Sequence, residues 1–178
     1  PNLPTGIGGR VGNLNLQGGY NMVVKVSPAD PNLIFIGGTN LYRSTTGFTT
    51  PTGKEGWIGG YSPKNDITVY PDQHPDQHAL VFYPSNPNKV LSASDGGVAV
   101  TEDITTNLSE DEPVDWVSLN NGYLTTQPYH VSFDPSAVSN NLLAGFQDNS
   151  VWFTSSDDPK APWRDQFGGD GTYSAIAD

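Results

Sequence analysis

Residues 22–38 read MVVKVSPADPNLIFIGG. Two short apolar runs flank a Pro-Asn turn, and their β-branched and aromatic residues are typical of a pair of strands. Proline sets φ in such a turn, and asparagine hydrogen-bonds to nearby backbone. The same order recurs at residues 78–94 (HALVFYPSNPNKVLSAS) and 129–146 (YHVSFDPSAVSNNLLAGF), and residues 173–178 (YSAIAD) begin it once more. The sequence therefore contains one repeated β unit.

Each unit continues with two further predicted strands. A turn rich in Gly, Asn and Asp follows the second strand. Third strands are predicted at residues 41–44, 98–101 and 150–154, and fourth strands near Trp57, Trp116 and Trp163. The units begin near residues 22, 78, 129 and 173, a spacing of roughly 50 residues that suits propeller blades. We predict an all-β fold in which residues 1–178 form a single partial β-propeller of about three to four four-stranded blades. A β-sandwich is the alternative, which the regular repeat disfavours.

Two consequences of a propeller bear on the protein as a whole. The first strand of each unit is almost entirely apolar, so we expect it to be innermost and buried on both faces. Propellers typically close with four to eight blades. The sequence also starts at Pro1 with no Met, and no signal peptide is visible in it. We therefore expect a piece of a longer chain, or a partner that completes the propeller.

Composition excludes several classes of function. The 178 residues carry 19 acidic and 8 basic side chains, for a net charge of −11, so nucleic acid is not an expected partner. There is no cysteine, which excludes disulfides and thiolate metal sites. No apolar run reaches the roughly 18 residues of a membrane span. The acidic excess is explained by solubility or by cation binding.

Several segments resemble a known family. The segment 44–49 (STTGFT) resembles the Asp-box (BNR) repeat, whose signature is Ser-x-Asp-x-Gly-x-Thr-Trp, with Thr46 where the Asp would stand. HPDQHALVFYPSNPN, SDGGV, SLNNGYLTTQPYHVSFDP, QDN and GGDG together look like secreted bacterial BNR-repeat propellers of the glycosyl-hydrolase-like and sortilin-like kinds. Many of these, from Bacteroidetes, carry a type IX secretion sorting domain. The resemblance implies a β-propeller and a secreted or cell-surface location, with the Asp-box as a structural turn far from the ligand site. It implies little about activity.

The topology of a blade gathers the unusual polar residues at one edge. The segment leading into each first strand and the turn between the second and third strands lie at the same edge. We call this the polar edge: segments 18–21, 74–78, 125–129 and 168–173, and turns 38–40, 94–97 and 147–149. The predicted ligand-binding residues on it are His74, Asp76, His78, Asp95, Gln127, Tyr129, His130, Gln147, Asp148 and Asp170. Loops of this kind carry function on rigid scaffolds.

His74, Asp76 and His78 form the weak candidate metal site. Alternate residues of an extended segment project to one side, so two imidazoles and a carboxylate would face Zn²⁺ or a similar ion. The other interpretations are that these groups contact a ligand or hydrogen-bond the neighbouring loops and so lock them together. Asp170, in a Gly-rich loop, is a weak candidate for Ca²⁺, although the commoner role of such an Asp is to cap a turn. No cofactor is otherwise expected.

Catalysis would need a pair of carboxylates. A glycoside hydrolase places two roughly 5–10 Å apart, and Asp76 and Asp170 are the candidates. A sialidase would need clustered arginines, but Arg10, Arg43 and Arg164 all lie outside the polar edge. We therefore predict a non-catalytic binding or assembly module that presents the polar edge to a protein or glycan ligand. The alternative is part of a glycoside hydrolase acting on polysaccharide.

Overall fold

The computed structural model describes residues 2–4, 14–62, 68–123, 126–136 and 138–177. Arg10, Thr125 and Asp178 of the segments discussed above lie outside these residues. The described chain is all-β, and its helical segments are two three-residue 3-10 turns, Gln17–Gly19 and Lys54–Gly56. Neither is long and apolar enough to cross a bilayer.

The described strands form three four-stranded antiparallel sheets, each with its strands in chain order. The first contains β1 (Val23–Val26), β2 (Ile34–Gly37), β3 (Leu41–Ser44) and β4 (Trp57–Gly59). The second contains β5 (Gln77–Tyr83), β6 (Asn86–Ser94), β7 (Gly97–Thr101) and β8 (Val117–Ser118). The third contains β9 (Pro128–Phe133), β10 (Leu142–Phe146), β11 (Val151–Thr154) and β12 (Arg164–Phe167).

The strands fall where the repeat predicts them. β3 has the predicted bounds, β7 gains one residue and β11 loses one. The fourth strands begin at Trp57 or directly after Trp116 and Trp163. The fourth unit, predicted to begin at Tyr173, has no strand in residues 171–177. There the Ser174 carbonyl accepts a hydrogen bond from the Ser132 hydroxyl of β9.

The first strands are not buried on both faces, which corrects the sequence prediction. In β1, Val23 is buried but Val24 is 64% exposed and Val26 is 49% exposed. In β5, Leu80 is buried and Val81 is exposed. The reason is the two-residue period of a strand, which turns successive side chains to opposite faces. An apolar composition alone does not tell whether the second face is covered.

The chain divides into two compact units, Pro1–Gly122 and Tyr123–Asp178. The core of the first unit combines the first two sheets with the loops that follow them. Phe35 of β2 packs edge-on against Phe82 of β5, with ring centroids 5.7 Å apart. The indole nitrogen of Trp116 donates a hydrogen bond to the Ile58 carbonyl at 2.8 Å. These contacts join the first sheet to the second.

One hydroxyl turn follows the third strand of every sheet. The hydroxyl groups of Ser44, Thr101 and Thr154 each accept a hydrogen bond from the backbone N–H two residues later, at 3.2, 3.3 and 3.2 Å. All three residues are buried. In segment 44–49 the Ser44 hydroxyl therefore holds a turn, since it also accepts a hydrogen bond from the Phe48 N–H at 2.9 Å.

A glycine ends β2 and another stands one residue before the end of β10, and a following segment of chain packs against each. A Cβ atom at Gly37 of β2 would lie 2.9 Å from Cβ of Gln77. A Cβ at Gly145 of β10 would lie 2.2 Å from the Thr172 carbonyl oxygen. A side chain is thus excluded at each position by the close approach of the following segment.

Gly145→Ala tests this packing. The added methyl group must push the backbone at Thr172 away from β10, so we expect the second unit to lose about 1–3 kcal/mol of unfolding free energy. Hydrogen exchange at residues 171–174 should accelerate. Gly168→Ala is the matched control, because no atom lies within 4 Å of its Cβ position and it should change stability by less than about 0.5 kcal/mol. Equal effects of the two substitutions would contradict the packing.

Tyr70→Phe tests a buried phenol. The Tyr70 hydroxyl donates to the Val114 carbonyl at 2.6 Å and accepts from the Val114 N–H at 2.9 Å. Loss of the Tyr70 hydroxyl should lower the free energy of unfolding by about 1–3 kcal/mol at neutral pH. Burial raises the pKa of Tyr70 from 10.0 to about 12.

The raised pKa sets the direction of a pH effect. Between pH 10 and about 12 the folded protein keeps the Tyr70 proton, whereas the unfolded chain has released it. The stability that Tyr70 contributes is therefore complete below pH 10 and is lost as the pH rises towards 12. Denaturant unfolding should show the difference between the natural protein and Tyr70→Phe shrinking across that range. A constant difference would contradict the assignment.

Candidate functional site

The polar edge of the first unit is built on the backbone of Asp76. The N–H groups of Asp76 and Gln77 donate to the carbonyls of Thr39 and Gly38, at 2.9 and 2.8 Å. Asp76 has a φ of +64°, a left-handed conformation that Asp and Asn adopt more readily than most residues. This conformation directs the segment before β5 onto the turn after β2.

The Asp76 carboxylate ties a third segment to this edge. Its Oδ1 atom accepts hydrogen bonds from the side-chain amides of Gln17 and of Asn21, the latter at 2.5 Å. Asn21 is fully buried, whereas Asp76 is half-buried. The Asp76 side chain therefore locks the segment before β1 against the segment before β5, which is the structural role that the sequence left open for it.

An exposed Tyr-His-Asp cluster lies beside Asp76. His78 Nε2 lies 2.5 Å from Asp95 Oδ1, and the Tyr20 hydroxyl donates to both oxygens of Asp95 at 3.2 Å. The Tyr20 ring meets the His78 ring edge-on, with centroids 5.3 Å apart. Asp95 is tied to the frame, because its N–H donates to the Asp76 carbonyl at 3.2 Å. Tyr20 is 58% exposed. The cluster thus offers an aromatic ring, an imidazole and a carboxylate to solvent from fixed positions.

A buried glutamine layer supports the segment 73–77 from below. The Gln73 amide donates to the Ser92 hydroxyl at 2.7 Å, and that hydroxyl donates to Gln77 Oε1 at 3.2 Å. The Gln77 amide donates to the His74 carbonyl at 2.6 Å. Sequence reasoning missed these residues. The available signal was the pair of glycines they pack against, Gly37 and Gly59.

The expected alignment of His74, Asp76 and His78 does not form. His74 Nδ1 lies 3.0 Å from the Pro75 carbonyl oxygen, and its ring covers Gly96. Asp76 and His78 bind the separate partners described above. The left-handed φ of Asp76 breaks the alternation on which the alignment relied. Among the described residues no group of three His, Asp or Glu side chains is placed to hold a metal ion.

The polar edge of the second unit repeats part of this design. The Gly171 N–H donates to the Phe146 carbonyl at 2.7 Å, as the Gln77 N–H does to Gly38. Asp170 therefore occupies the position of Asp76, and its carboxylate accepts a hydrogen bond from the Asp148 N–H at 3.0 Å. Asp170 caps the turn after β10 in this way.

Exposed aromatic and amide groups accompany Asp170. The Tyr129 hydroxyl donates to Gln147 Oε1, and Tyr129 is itself exposed. The His130 ring stacks on the Tyr173 ring, with centroids 4.4 Å apart. The exposed Gln127 side chain makes no hydrogen bond to a described residue. Among the predicted ligand-binding residues of this unit, Asp148 thus contacts Asp170 and Tyr129 contacts Gln147, whereas His130 contacts Tyr173.

Comparison with known proteins gives no identification. No family model matches the sequence, and no curated protein matches it. The resemblance to BNR-repeat propellers therefore remains an expectation drawn from the residues.

Asp76→Ala tests the locking role of Asp76. The substitution leaves the buried Asn21 amide without its acceptor, so we expect a loss of about 1–3 kcal/mol in the free energy of unfolding. Asp72→Ala is the matched control. Asp72 also has a positive φ, +53°, but its carboxylate makes no hydrogen bond to a described residue. Denaturant unfolding should separate the two variants by at least about 1 kcal/mol. If they lose equal stability, backbone strain and not the side chain is responsible.

Proposed function

We propose that this chain is part of a β-propeller of a secreted or cell-surface protein and acts as a non-catalytic binding module. The three four-stranded antiparallel sheets would be its blades. The recurrence of the hydroxyl turn in every sheet supports a repeat. The strand-end glycines Gly37 and Gly145, which admit the following segment, support stacking of successive sheets.

The observation that carries the binding role is the Tyr20–His78–Asp95 cluster. These side chains are partly exposed, yet Asp95 and its neighbours are held by bonds to Asp76 and to the segments around it. A frame of this kind positions ligand-binding groups before the ligand arrives, which reduces the entropy cost of binding.

A glycan is the ligand that this cluster favours. Aromatic rings stack on apolar sugar faces, and carboxylate and imidazole groups hydrogen-bond to sugar hydroxyls. The net charge of −11 disfavours anionic ligands in general. A protein ligand with a basic surface is the second class that the acidic polar edge suits.

The glycoside hydrolase alternative has weaker support. Its candidate carboxylates, Asp76 and Asp170, already accept hydrogen bonds from amide groups of their own units. A general acid must instead direct a proton at the leaving-group oxygen. Both residues therefore fit structural roles better than catalytic ones.

Binding is tested with two variants of the cluster. Tyr20→Ala removes the exposed ring, and Asp95→Asn removes a charged acceptor, so each should weaken glycan binding by about tenfold or more. Tyr83→Ala is the control, because Tyr83 lies at the opposite end of β5 from His78. The measurement is a glycan array followed by isothermal titration calorimetry of each hit.

Two results would count against the proposal. Glycan or protein binding that is unchanged in Tyr20→Ala and Asp95→Asn would remove the polar edge as the site. Hydrolysis of a polysaccharide, abolished in Asp76→Ala or Asp170→Ala while the fold is retained, would replace the binding module with the hydrolase.

A further inference from the structure

The turn that follows β8 contains the one Asn-Gly step of the sequence, Asn121-Gly122. Every other asparagine is followed by a residue that carries a side chain. Such a side chain hinders the approach of its own backbone nitrogen to the asparagine amide, whereas glycine has no Cβ and reaches more backbone conformations. Asn121 is therefore the asparagine whose side chain is most open to attack by the next backbone nitrogen.

Gly122 is unrestrained within the part of the chain that the structure describes. Its N–H donates to no acceptor among the described residues. No atom lies within 4 Å of the position that a Cβ would take, and its φ of +69° is a conformation that glycine adopts at no steric cost. The Gly122 nitrogen therefore turns towards the Asn121 side chain without breaking a hydrogen bond to a described residue.

The two asparagines of this turn differ in how their side chains are held. The Asn120 amide nitrogen donates to the Gly96 carbonyl at 2.6 Å, and its oxygen accepts from the Val98 N–H at 3.1 Å. The Asn121 side chain is exposed and makes no hydrogen bond to a described residue. The Asn121 N–H donates to the Leu119 carbonyl at 2.8 Å, which holds the backbone of the turn but not the side chain. One amide of the turn is thus protected and the other is open to reaction.

We propose that Asn121 is a site of spontaneous deamidation and isomerisation in the folded protein. The Gly122 nitrogen gives its proton to a solvent base and bonds to Cγ of Asn121, and the side-chain nitrogen leaves as ammonia. The product is a cyclic imide. Water then adds to either of its carbonyl carbons: addition at Cγ gives aspartate, and addition at the main-chain carbon gives isoaspartate, whose backbone runs through Cβ and Cγ. The sum is an amide and water giving a carboxylate and ammonium, with no change of oxidation state.

The two products change the chain locally. Each adds a negative charge to the net charge of −11, and isoaspartate also lengthens the backbone by a methylene group. Asn120 precedes the altered link, so its hydrogen bonds to Gly96 and Val98 should persist and the unfolding midpoint should not change. Gly122 is the last residue of the first compact unit, so the change falls where the chain leaves that unit. The modification does not depend on the function proposed for the polar edge.

The experiment incubates the full 178-residue chain, folded, in mildly alkaline buffer made with water that carries heavy oxygen. Peptide mapping with electron-transfer fragmentation then distinguishes asparagine, aspartate and isoaspartate at position 121. We expect both products, each with labelled oxygen in the carboxylate that forms. The conversion rate should rise with pH, because the attacking nitrogen must lose its proton. It should lie within about tenfold of the rate in the urea-unfolded chain, a difference in barrier of about 1.4 kcal/mol.

Two variants separate ring closure from simple hydrolysis of the amide. Asn121→Gln would have to close a larger ring, and Gly122→Ala places a methyl group beside the attacking nitrogen, so each should slow conversion by at least about tenfold. Asn107 is the internal control. It is exposed and its side chain makes no hydrogen bond to a described residue, but Leu108 follows it. It should therefore remain asparagine while Asn121 converts.

The outcomes decide the proposal. Conversion of the urea-unfolded chain with none in the folded protein overturns it, because the fold would then protect Asn121. Conversion to aspartate alone, or at an equal rate in Gly122→Ala or at Asn107, also overturns it, since direct hydrolysis needs neither the imide nor the glycine. Isoaspartate at position 121 of the folded protein, formed at least about tenfold more slowly in both variants, establishes the site.

Discussion

The close approach of the following chain segment to the ends of β2 and β10 is the constraint on which the two polar edges depend. Gly37 and Gly145 leave room for it, and the Gln77 and Gly171 N–H groups make it with backbone carbonyls. This contact joins backbone groups only. It therefore fixes the positions of Asp76, which precedes Gln77, and of Asp170, which precedes Gly171, without any contribution from their side chains.

This contact sets the positions of the candidate functional groups. The Asp76 carboxylate accepts a hydrogen bond from the Asn21 amide, and the Asp76 backbone carbonyl accepts one from the Asp95 N–H. The glutamine layer below fills the space that glycines leave open, with buried polar groups that satisfy one another. A rigid frame with an exposed Tyr20–His78–Asp95 cluster results.

Much of the fold is visible in the residues alone. The apolar runs, Pro-Asn turns and tryptophans predicted the strands and their order, and the topology of a four-stranded meander placed segments 18–21 and 74–78 beside turns 38–40 and 94–97. The contacts of His78 with Asp95 and of Asp76 with Asn21 agree with that placement. The predicted burial of the first strands on both faces was wrong, because a strand made almost entirely of apolar residues shows no alternation that would reveal an exposed face. The predicted alignment of His74 with His78 was wrong, because the spacing of residues in the sequence does not reveal the positive φ of Asp76.

Periodicity, turn chemistry and composition were sufficient to predict an acidic all-β chain and its four-stranded sheets with strands in chain order. Those properties are local or additive along the chain. Only the tertiary structure decided which carboxylates are structural, that Gln73 and Gln77 support the segment before β5, and that the buried Arg43 donates to the carbonyls of Glu55 and Ile104. Such properties depend on which groups from distant segments come within hydrogen-bond distance, and that distance exists only after the sheets have packed.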